Sequence, residues 1–396
     1  MRKFVIIGGN IGWIAASYLH TYFKNDSITL IESPSIPKSG FGEGTVPNFT
    51  QFLKDVNINR EDFENSVNHT VKLGIAFKGW PGDDSEYNHD FNINGGSPHA
   101  YHIDTNEACD YFKNKFSSKV NYIIDDVVGF DRDGETINKV KTKSGEYDCD
   151  FLIDCSGISR VTFGKEFNEE WISTSDELRV NSVLSFTIPK ITSKDEPQRT
   201  DATSMKNGWC FKIPLQDREN YGYLHDNTLT TIDKCKSEIK ERFGDVEFKR
   251  YYEFESGYYN KTWVGNTIVV GMSSHFFEPI EATSIMICLI QMKKLVELNF
   301  TNRKRFNDYV NNVYTSTLSF IRYHYVCDRD DTEFWKRYKT LTLTKELKKL
   351  LDDNGKISDI SERKFNSIMK DTVFTLKQYK LLSQYNFQNK TKTTLL

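Results

Sequence analysis

Three patterns in this chain bring together residue types that could do chemistry. The first is a lysine in an apolar, strand-like run, Thr70-Val71-Lys72-Leu73-Gly74-Ile75-Ala76-Phe77. A lysine there is either an edge residue with a solvated head or a buried amine. Burial would disfavour the charged form and lower its pKa by several units from ~10.4, leaving a nucleophilic amine or a readily given proton. Lys78, beside Gly79-Trp80, is the weaker candidate. The second pattern is Phe277-Glu278-Pro279-Ile280-Glu281-Ala282-Thr283-Ser284, followed by the apolar, periodic stretch from Ile285 to Leu298. Pro279 and Thr283 bracket a helix start. The amides near Thr283 and Ser284 are then either capped by Thr283 or left as an anion site. The third pattern is a set of glycine turns: Gly8-Gly9-Asn10-Ile11-Gly12-Trp13, Gly40-Phe41-Gly42-Glu43-Gly44-Thr45-Val46-Pro47, Asp154-Cys155-Ser156-Gly157 and the stretch ending at Gly271.

These residues need elements to hold them. Phe4 to Ile7 reads as a buried strand, Ile14 to Phe23 as a helix, and Ile28 to Ile31 as the next strand, ending at Glu32. This is the opening of a dinucleotide-binding βαβ unit, with helix-terminal amides for a pyrophosphate and an acid for a ribose hydroxyl. Aligning Gly9 and Gly12 with the second and third glycines of G-x-G-x-x-G puts Ile7 at the first, unless Gly8 takes that role in a shifted turn. Tyr122 to Val128, Ile137 to Lys143, a turn at Gly145, and Asp150 to Ile153 read as a meander. Val264-Gly265-Asn266 followed by Ile268 to Gly271 gives a third strand-to-glycine return, so one nucleotide module with other segments inserted is expected. Those insertions are residues ~60–120 and ~166–261, aromatic and strand-rich as in Val183-Leu184-Ser185-Phe186-Thr187. From Leu298 the pattern turns helical and charged, with Glu346 to Leu351 and Phe374 to Lys377 as candidate segments; Asn389 to Leu396 is polar enough to fray.

The bulk numbers narrow the class. A chain of 396 residues can bury a substantial core, and a formal charge of -3 leaves no basic field for nucleic acid or a membrane surface. Small-molecule chemistry becomes the default. The seven cysteines are odd in number and contain no C-x-x-C pair, so neither a disulfide framework nor a metal site is indicated. No stretch approaches ~18 uninterrupted apolar residues, and a soluble cytoplasmic protein is expected. Aromatics make up 14% of the chain, mostly for the core, although a pocket for a flat ligand needs only a few.

Trp209-Cys210-Phe211-Lys212-Ile213-Pro214 closely resembles the W-x-W-x-I-P of flavin-dependent halogenases of the tryptophan-halogenase type, with Phe211 for the second Trp. Further segments agree in order. Gly40 to Pro47 is similar to the G-V-G-E-A-T-I-P strap. Glu278 to Thr283 is similar to E-P-L-E-S-T, with Ile280 for Leu and Ala282 for Ser, and Ser284 follows where Gly is frequent. Lys72 matches the lysine of F-K-x-x-I, and Tyr87-Asn88-His89-Asp90-Phe91 resembles Y-x-H-x-F. Tyr323-His324-Tyr325 with Asp328 to Trp335 resembles H-Y...R-D-D-T-x-F-W; its charges read as a solvated face and its value is diagnostic.

What the resemblance implies is an α/β fold: an FAD-binding two-dinucleotide-domain flavoprotein with a Rossmann-like βαβ module, an inserted mixed β substrate-side sheet and a helical C-terminal region. The expected division is residues 1–296 for the module with its insertions and 297–396 for the helical region. The resemblance also implies that reduced FAD, oxygen and halide make hypohalous acid that halogenates an electron-rich aromatic carbon. It assigns Lys72 to receiving or hydrogen-bonding the hypohalous acid and Glu281 to taking the proton lost from the arene. It assigns the halide to Thr283 and Ser284, and the flavin to Gly8, Gly9, Gly12, Trp13, Glu32, Gly42, Glu43, Thr45, Val46 and Gly271. Trp209, Phe211 and Pro214 would wall the tunnel, and His89 and Phe91 the arene pocket. With no second nucleotide fingerprint in the sequence, a separate flavin reductase is the expected partner, and the substrate is a small aromatic molecule of indole or phenol type. A homo-oligomer is admitted but not required. Two rivals stand: a single-component FAD-dependent aromatic hydroxylase, which would need neither Lys72 nor Glu281, and a degenerate flavin-binding protein without turnover.

Overall fold

The apolar run near the amino terminus becomes the centre of a sheet. In the computed structural model, which describes residues 1–36, 41–91, 99–193, 196, 198–352 and 357–387, the strand Lys3–Ile7 pairs in parallel with Ser27–Glu32 on one side and Phe151–Asp154 on the other. Phe4, Val5, Ile6 and Ile7 are all buried, as a parallel strand covered on both faces requires. Asn121–Ile124 and Thr267–Val269 extend the parallel order, and Trp263–Val264 closes one edge antiparallel. The crossover helix Asn10–Tyr22 starts at the glycine turn, earlier than its apolar periodicity predicts.

One expected strand is divided. Asn121–Ile124 joins the parallel sheet, whereas the meander is Val127–Asp133, Thr136–Thr142 and Glu146–Asp148. The break falls at Asp125. Its carboxylate accepts from the Asp126 N–H and from the Ser144 N–H and hydroxyl, a local bonding pattern that competes with ladder pairing.

The second large sheet holds the candidate chemistry. Its order is Glu247–Glu253, Ser182–Pro189, Arg218–His225, Gly208–Pro214, Gln198–Ser204, His69–Lys78, Ala100–Asp104 and Gly42–Gly44. Glu86–Asp90 also pairs with His69–Lys78, beyond the end of Ala100–Asp104. The glycine strap, expected as a loop, is therefore a short strand at an edge of this sheet over residues 42–44; its Gly40 lies outside the described residues, as does Asn389 to Leu396.

The carboxyl-terminal part is helical as expected, in Thr283–Glu297, Arg303–His324, Glu333–Thr340, Lys345–Asp352, Glu362–Ile368 and Leu376–Asn386. It shares one core with the sheets. Trp80 packs edge-on against Tyr325 and Trp335, while the Trp80 indole donates to the Ala202 carbonyl and the Trp335 indole to that of Met205. The Asp328 to Trp335 run acts as a clasp: Arg329 pairs with Asp331 and donates to the Gly79 carbonyl, and Thr332 caps the next helix. No helix among the described residues is long and apolar enough to cross a membrane.

Candidate active site

Lys72 is in a central strand, which removes the edge reading. It is 0% exposed, and its Nζ has no hydrogen-bond partner among the described residues. Two irregularities aim it. The pairing with Gln198–Ser204 slips between Gln198, opposite Lys72, and Arg199, opposite Gly74; on the other side the neighbour changes from Ala100–Asp104 to Glu86–Asp90. Such bulges turn a side chain away from the ladder's regular direction. Nζ lies 5.7 Å from the centre of the Phe91 ring. Burial pushes the ammonium pKa down to about 7, with the Glu281 charge opposing a further fall. Lys78 is instead tied to Asp201 at 3.0 Å.

Glu281 is likewise buried, but fully engaged. The His89 Nδ1 is 3.0 Å from each carboxylate oxygen, and His324 Nε2 is 2.7 Å from Oε1. The proton on His89 can be placed from its surroundings. Gln378 Oε1 accepts from the Thr375 N–H in a capping box, so its amide nitrogen faces His89 Nε2 at 2.6 Å and donates to it. The His89 Nε2 is then an acceptor and Nδ1–H donates to Glu281. Burial works against the Glu281 anion, but His89 and His324 pull its pKa down to about 2, so it is ionised at neutral pH. His324 is held flat against Phe77, ring centres 4.5 Å apart.

The helix Thr283–Glu297 begins without a side-chain cap. Its N-cap is Ala282, in left-handed backbone geometry at φ 54°, and Thr283 is the first helical residue, with a buried hydroxyl that finds no partner among the described residues. The capping alternative for Thr283 therefore fails. Unpaired amides, an orphan hydroxyl and the positive end of the helix dipole form a site suited to a small anion beside Glu281. Ser284 is the next residue into the helix and is half-buried.

The wall segment is the strand Gly208–Pro214. Trp209 is buried, 6.1 Å from Trp80 and 6.2 Å from Phe211 between ring centres. Phe211 meets Phe41 edge-on at 5.9 Å, and Gly222 on the adjoining strand leaves the space its ring occupies. Pro214 contributes its carbonyl, which accepts from the Thr70 hydroxyl at 2.8 Å. The neighbouring Glu278 is buried, its pKa pushed up to about 8, and it accepts from the Tyr325 hydroxyl.

The carboxyl ends of the parallel strands open onto the glycine turns. Gly8, at φ 115°, makes the tight turn, so the shifted alignment holds; a side chain there would strike the Cys155 carbonyl at 2.3 Å. The Glu32 carboxylate lies over Gly9, which a side chain would meet at 2.5 Å, and its other oxygen accepts from the Tyr122 hydroxyl. Gly12 lets the helix close on Ile6, and Gly271 is packed between Ile11 and Cys288. A bare turn at a helix N-terminus with an acid beside it suits a pyrophosphate and a ribose, so the residues fit FAD. Trp13 sits deeper, fully buried against Tyr122. On the strap, burial raises the Glu43 carboxyl, whose charge reaches Cys288 under Gly271. Thr45 spends its hydroxyl on both backbone groups of Tyr101, and Val46 begins the helix Pro47–Asp55.

The sequence profile of the family described as Tryptophan halogenase matches residues 3–99 and 92–381. The chain belongs to the tryptophan halogenase family. It is 27% identical to the tryptophan 7-halogenase RebH of Lentzea aerocolonigenes over 88% of this chain and 80% of that one. It is 26% identical to the tryptophan 6-halogenase ThaL of Streptomyces albogriseolus, over 87% and 80%. Its fold is that of the tryptophan 6-halogenase SttH of Streptomyces toxytricini, with a TM-score of 0.87, 24% identity and 96% and 90% of the two chains covered. The flavin-dependent halogenase BrvH of Brevundimonas sp. BAL3 superimposes with a TM-score of 0.84 at 21% identity, over 96% and 89%.

In this halogenase-family site, Lys72, Glu281, His89, Phe91 and the Thr283 turn come together, and the strap reaches them through Gly44. Four contributors escape the sequence reading: His324, Gln378, His102 and Thr200. His324 lies within a quoted motif, but nothing in its local chemistry marks it as a partner of Glu281. The others carry no local signal, because their parts arise from contacts between strands and from the docking of a distant helix.

Proposed function

We propose that this protein is a flavin-dependent halogenase acting on an electron-rich aromatic substrate of indole or phenol type, with Lys72 and Glu281 as its catalytic pair. The observation that carries the reading is a buried amine without a partner among the described residues, facing a buried carboxylate held ionised by two imidazoles, beside an uncapped helix start. Gly8, Gly9, Gly12, Glu32, Gly271 and the strap around Gly42, Glu43, Thr45 and Val46 would hold FAD, which when reduced would supply the two electrons that take dioxygen to the peroxide level, the oxidant that turns halide into hypohalous acid and releases water. A separate flavin reductase is the expected source of those electrons.

Thr283 and Ser284 hold the halide with amides and the free hydroxyl. Lys72 in its ammonium form hydrogen-bonds the oxygen of hypohalous acid and passes it a proton, so that water leaves as the halogen joins the arene carbon. Near pH 7 ammonium and amine coexist, which suits a group that must give a proton and regain one. The Glu281 carboxylate takes the proton displaced from the arene; a low basicity suffices, because the cationic ring intermediate is a strong acid. Trp209 and Phe211 stand in the wall that keeps the arene apart from the flavin. A direct hydroxylase has no use for Lys72 or Glu281, and the orphaned amine favours halogen transfer.

The test is product mass after incubation with FAD, a flavin reductase, NADH, oxygen and a panel of indoles and phenols, with chloride or bromide and catalase present. A halide-dependent mass shift that Lys72→Ala abolishes is expected. Oxygen insertion independent of halide would overturn the reading.

A further inference from the structure

The second nitrogen of His89 is met by a group that cannot turn. The Gln378 side-chain oxygen accepts from the Thr375 N–H at 2.6 Å and from the Thr375 hydroxyl at 3.0 Å. Flipping the amide would set its NH2 against the Thr375 N–H, so the NH2 stays on His89 Nε2 at 2.6 Å. The buried ring on the other side of the lysine is under no such constraint at its Nε2. His102 Nε2 meets the Thr200 hydroxyl at 2.9 Å, and a hydroxyl can donate or accept as the ring requires.

A histidine beside a carboxylate ordinarily gains a second proton easily, because the imidazolium pairs with the anion. Here that proton would sit on Nε2 and point at the Gln378 NH2, donor against donor, on a buried ring. The fixed amide thus works against the imidazolium and against the tautomer with its proton on Nε2 alike. His324 Nε2 lies 2.7 Å from the same carboxylate, and burial pushes that imidazole's pKa down. Tyr87, stacked on His89 at 6.3 Å between ring centres, is the other titratable side chain on this face, and burial raises its pKa. From this side, no cation among the described residues cancels the charge on Glu281.

We propose that Gln378 is a positioning residue for halogen transfer: by keeping His89 neutral with its proton on Nδ1, it leaves the Glu281 charge undiminished for the cationic ring that forms as the halogen joins the arene. This rests on the halogenase reading above. Charge that develops during a reaction is stabilised most by a fixed, uncompensated counter-charge in a buried site. Gln378 acts through His89, and no bond forms or breaks at it.

Two measurements on the full-length protein test it. In the first, the protein is labelled with ¹⁵N-histidine, the His89 signals are assigned by their loss in His89→Phe, and NMR at neutral pH reads which ring nitrogen carries the proton. A protonated Nδ1 and a bare Nε2 are expected. A proton on Nε2 in the unaltered protein would overturn the proposal, whether or not any variant folds. Gln378→Glu keeps the shape and an oxygen for the Thr375 donors but turns the donor on Nε2 into an acceptor, so Nε2 should gain a proton; a bare Nε2 in this variant would overturn the proposal too. In the second, halogenation by Gln378→Glu is expected to fall about tenfold or more, the worth of one charge-assisted hydrogen bond, because the new imidazolium lies nearer Glu281 than the new carboxylate does. An unchanged rate in a variant whose Nε2 has gained its proton would overturn the part Gln378 plays in the reaction. If the unaltered protein yields no halogenated product, the halogenase reading itself fails, while the ¹⁵N signals still decide whether Gln378 sets the His89 ring.

Discussion

At the scale of single residues, a buried amine that finds no partner among the described residues must cost stability, and the cost depends on pH. Folded Lys72 releases its proton near pH 7 and the unfolded side chain near 10.5. Between those values the unfolded chain binds more protons, so this residue makes stability rise with pH across that window. Lys72→Met should therefore stabilise the protein, by on the order of 4 kcal/mol at pH 6 and by far less at pH 11. Urea unfolding at the two pH values measures the difference, and an equal gain at both would contradict a buried, shifted amine. Glu281 has the opposite character, since its charge is bound on two sides by imidazole. Replacing it by Gln keeps the shape and removes the proton acceptor; halogenation should fall about 100-fold or more while FAD binding, read by flavin fluorescence, is retained. The individual letters at both positions were legible in the sequence. Their partners were not, because a histidine such as His324 looks the same whether it faces solvent or a carboxylate.

At the scale of elements, the strap shows what periodicity misses. Residues 42–44 carry two glycines, which weaken any strand pattern, yet they form one because Gly42 to Gly44 pair with Asp104 to His102 and Thr45 clamps Tyr101. This ties the strap to the wall strand, where Phe41 meets Phe211 edge-on. Phe41 on the strap and Phe211 on the strand Gly208–Pro214 thus share one packing volume. Phe211→Trp alone should overpack the contact and destabilise by about 1–3 kcal/mol, and adding Phe41→Val should recover most of that loss. Urea midpoints of the two single variants and the double variant measure the coupling; additive effects would deny it. Asn121–Ile124 teaches a related lesson. Its apolar letters fit either a meander or a parallel edge, and only the hydrogen bonds at Asp125 separate it from the strand that follows.

At the scale of the whole molecule, the strand-to-glycine returns and the helical carboxyl-terminal part could be read in advance, since strands and helices bury their faces with different periods. The docking of the last helix could not. Leu376–Asn386 buries Tyr379, Leu382 and Tyr385, and the Tyr385 hydroxyl shares its one proton between the Phe77 and Ser85 carbonyls and accepts from the Trp80 N–H. It thereby closes the hairpin that follows the lysine strand. Tyr385→Phe leaves those carbonyls without this donor and should cost about 1–3 kcal/mol in urea unfolding; an unchanged midpoint would show that the hairpin holds itself. The same helix supplies Gln378, and here distance along the chain becomes an interval in time. Glu281 lies 192 residues beyond His89 and Gln378 lies 289 beyond it. On a ribosome, the glycine turns from Gly8 to Gly157 are made long before Gln378, and Gly271 follows only shortly before Glu281. The His89 that holds Glu281 thus waits for Gln378, made near the end of synthesis, before its second nitrogen is engaged.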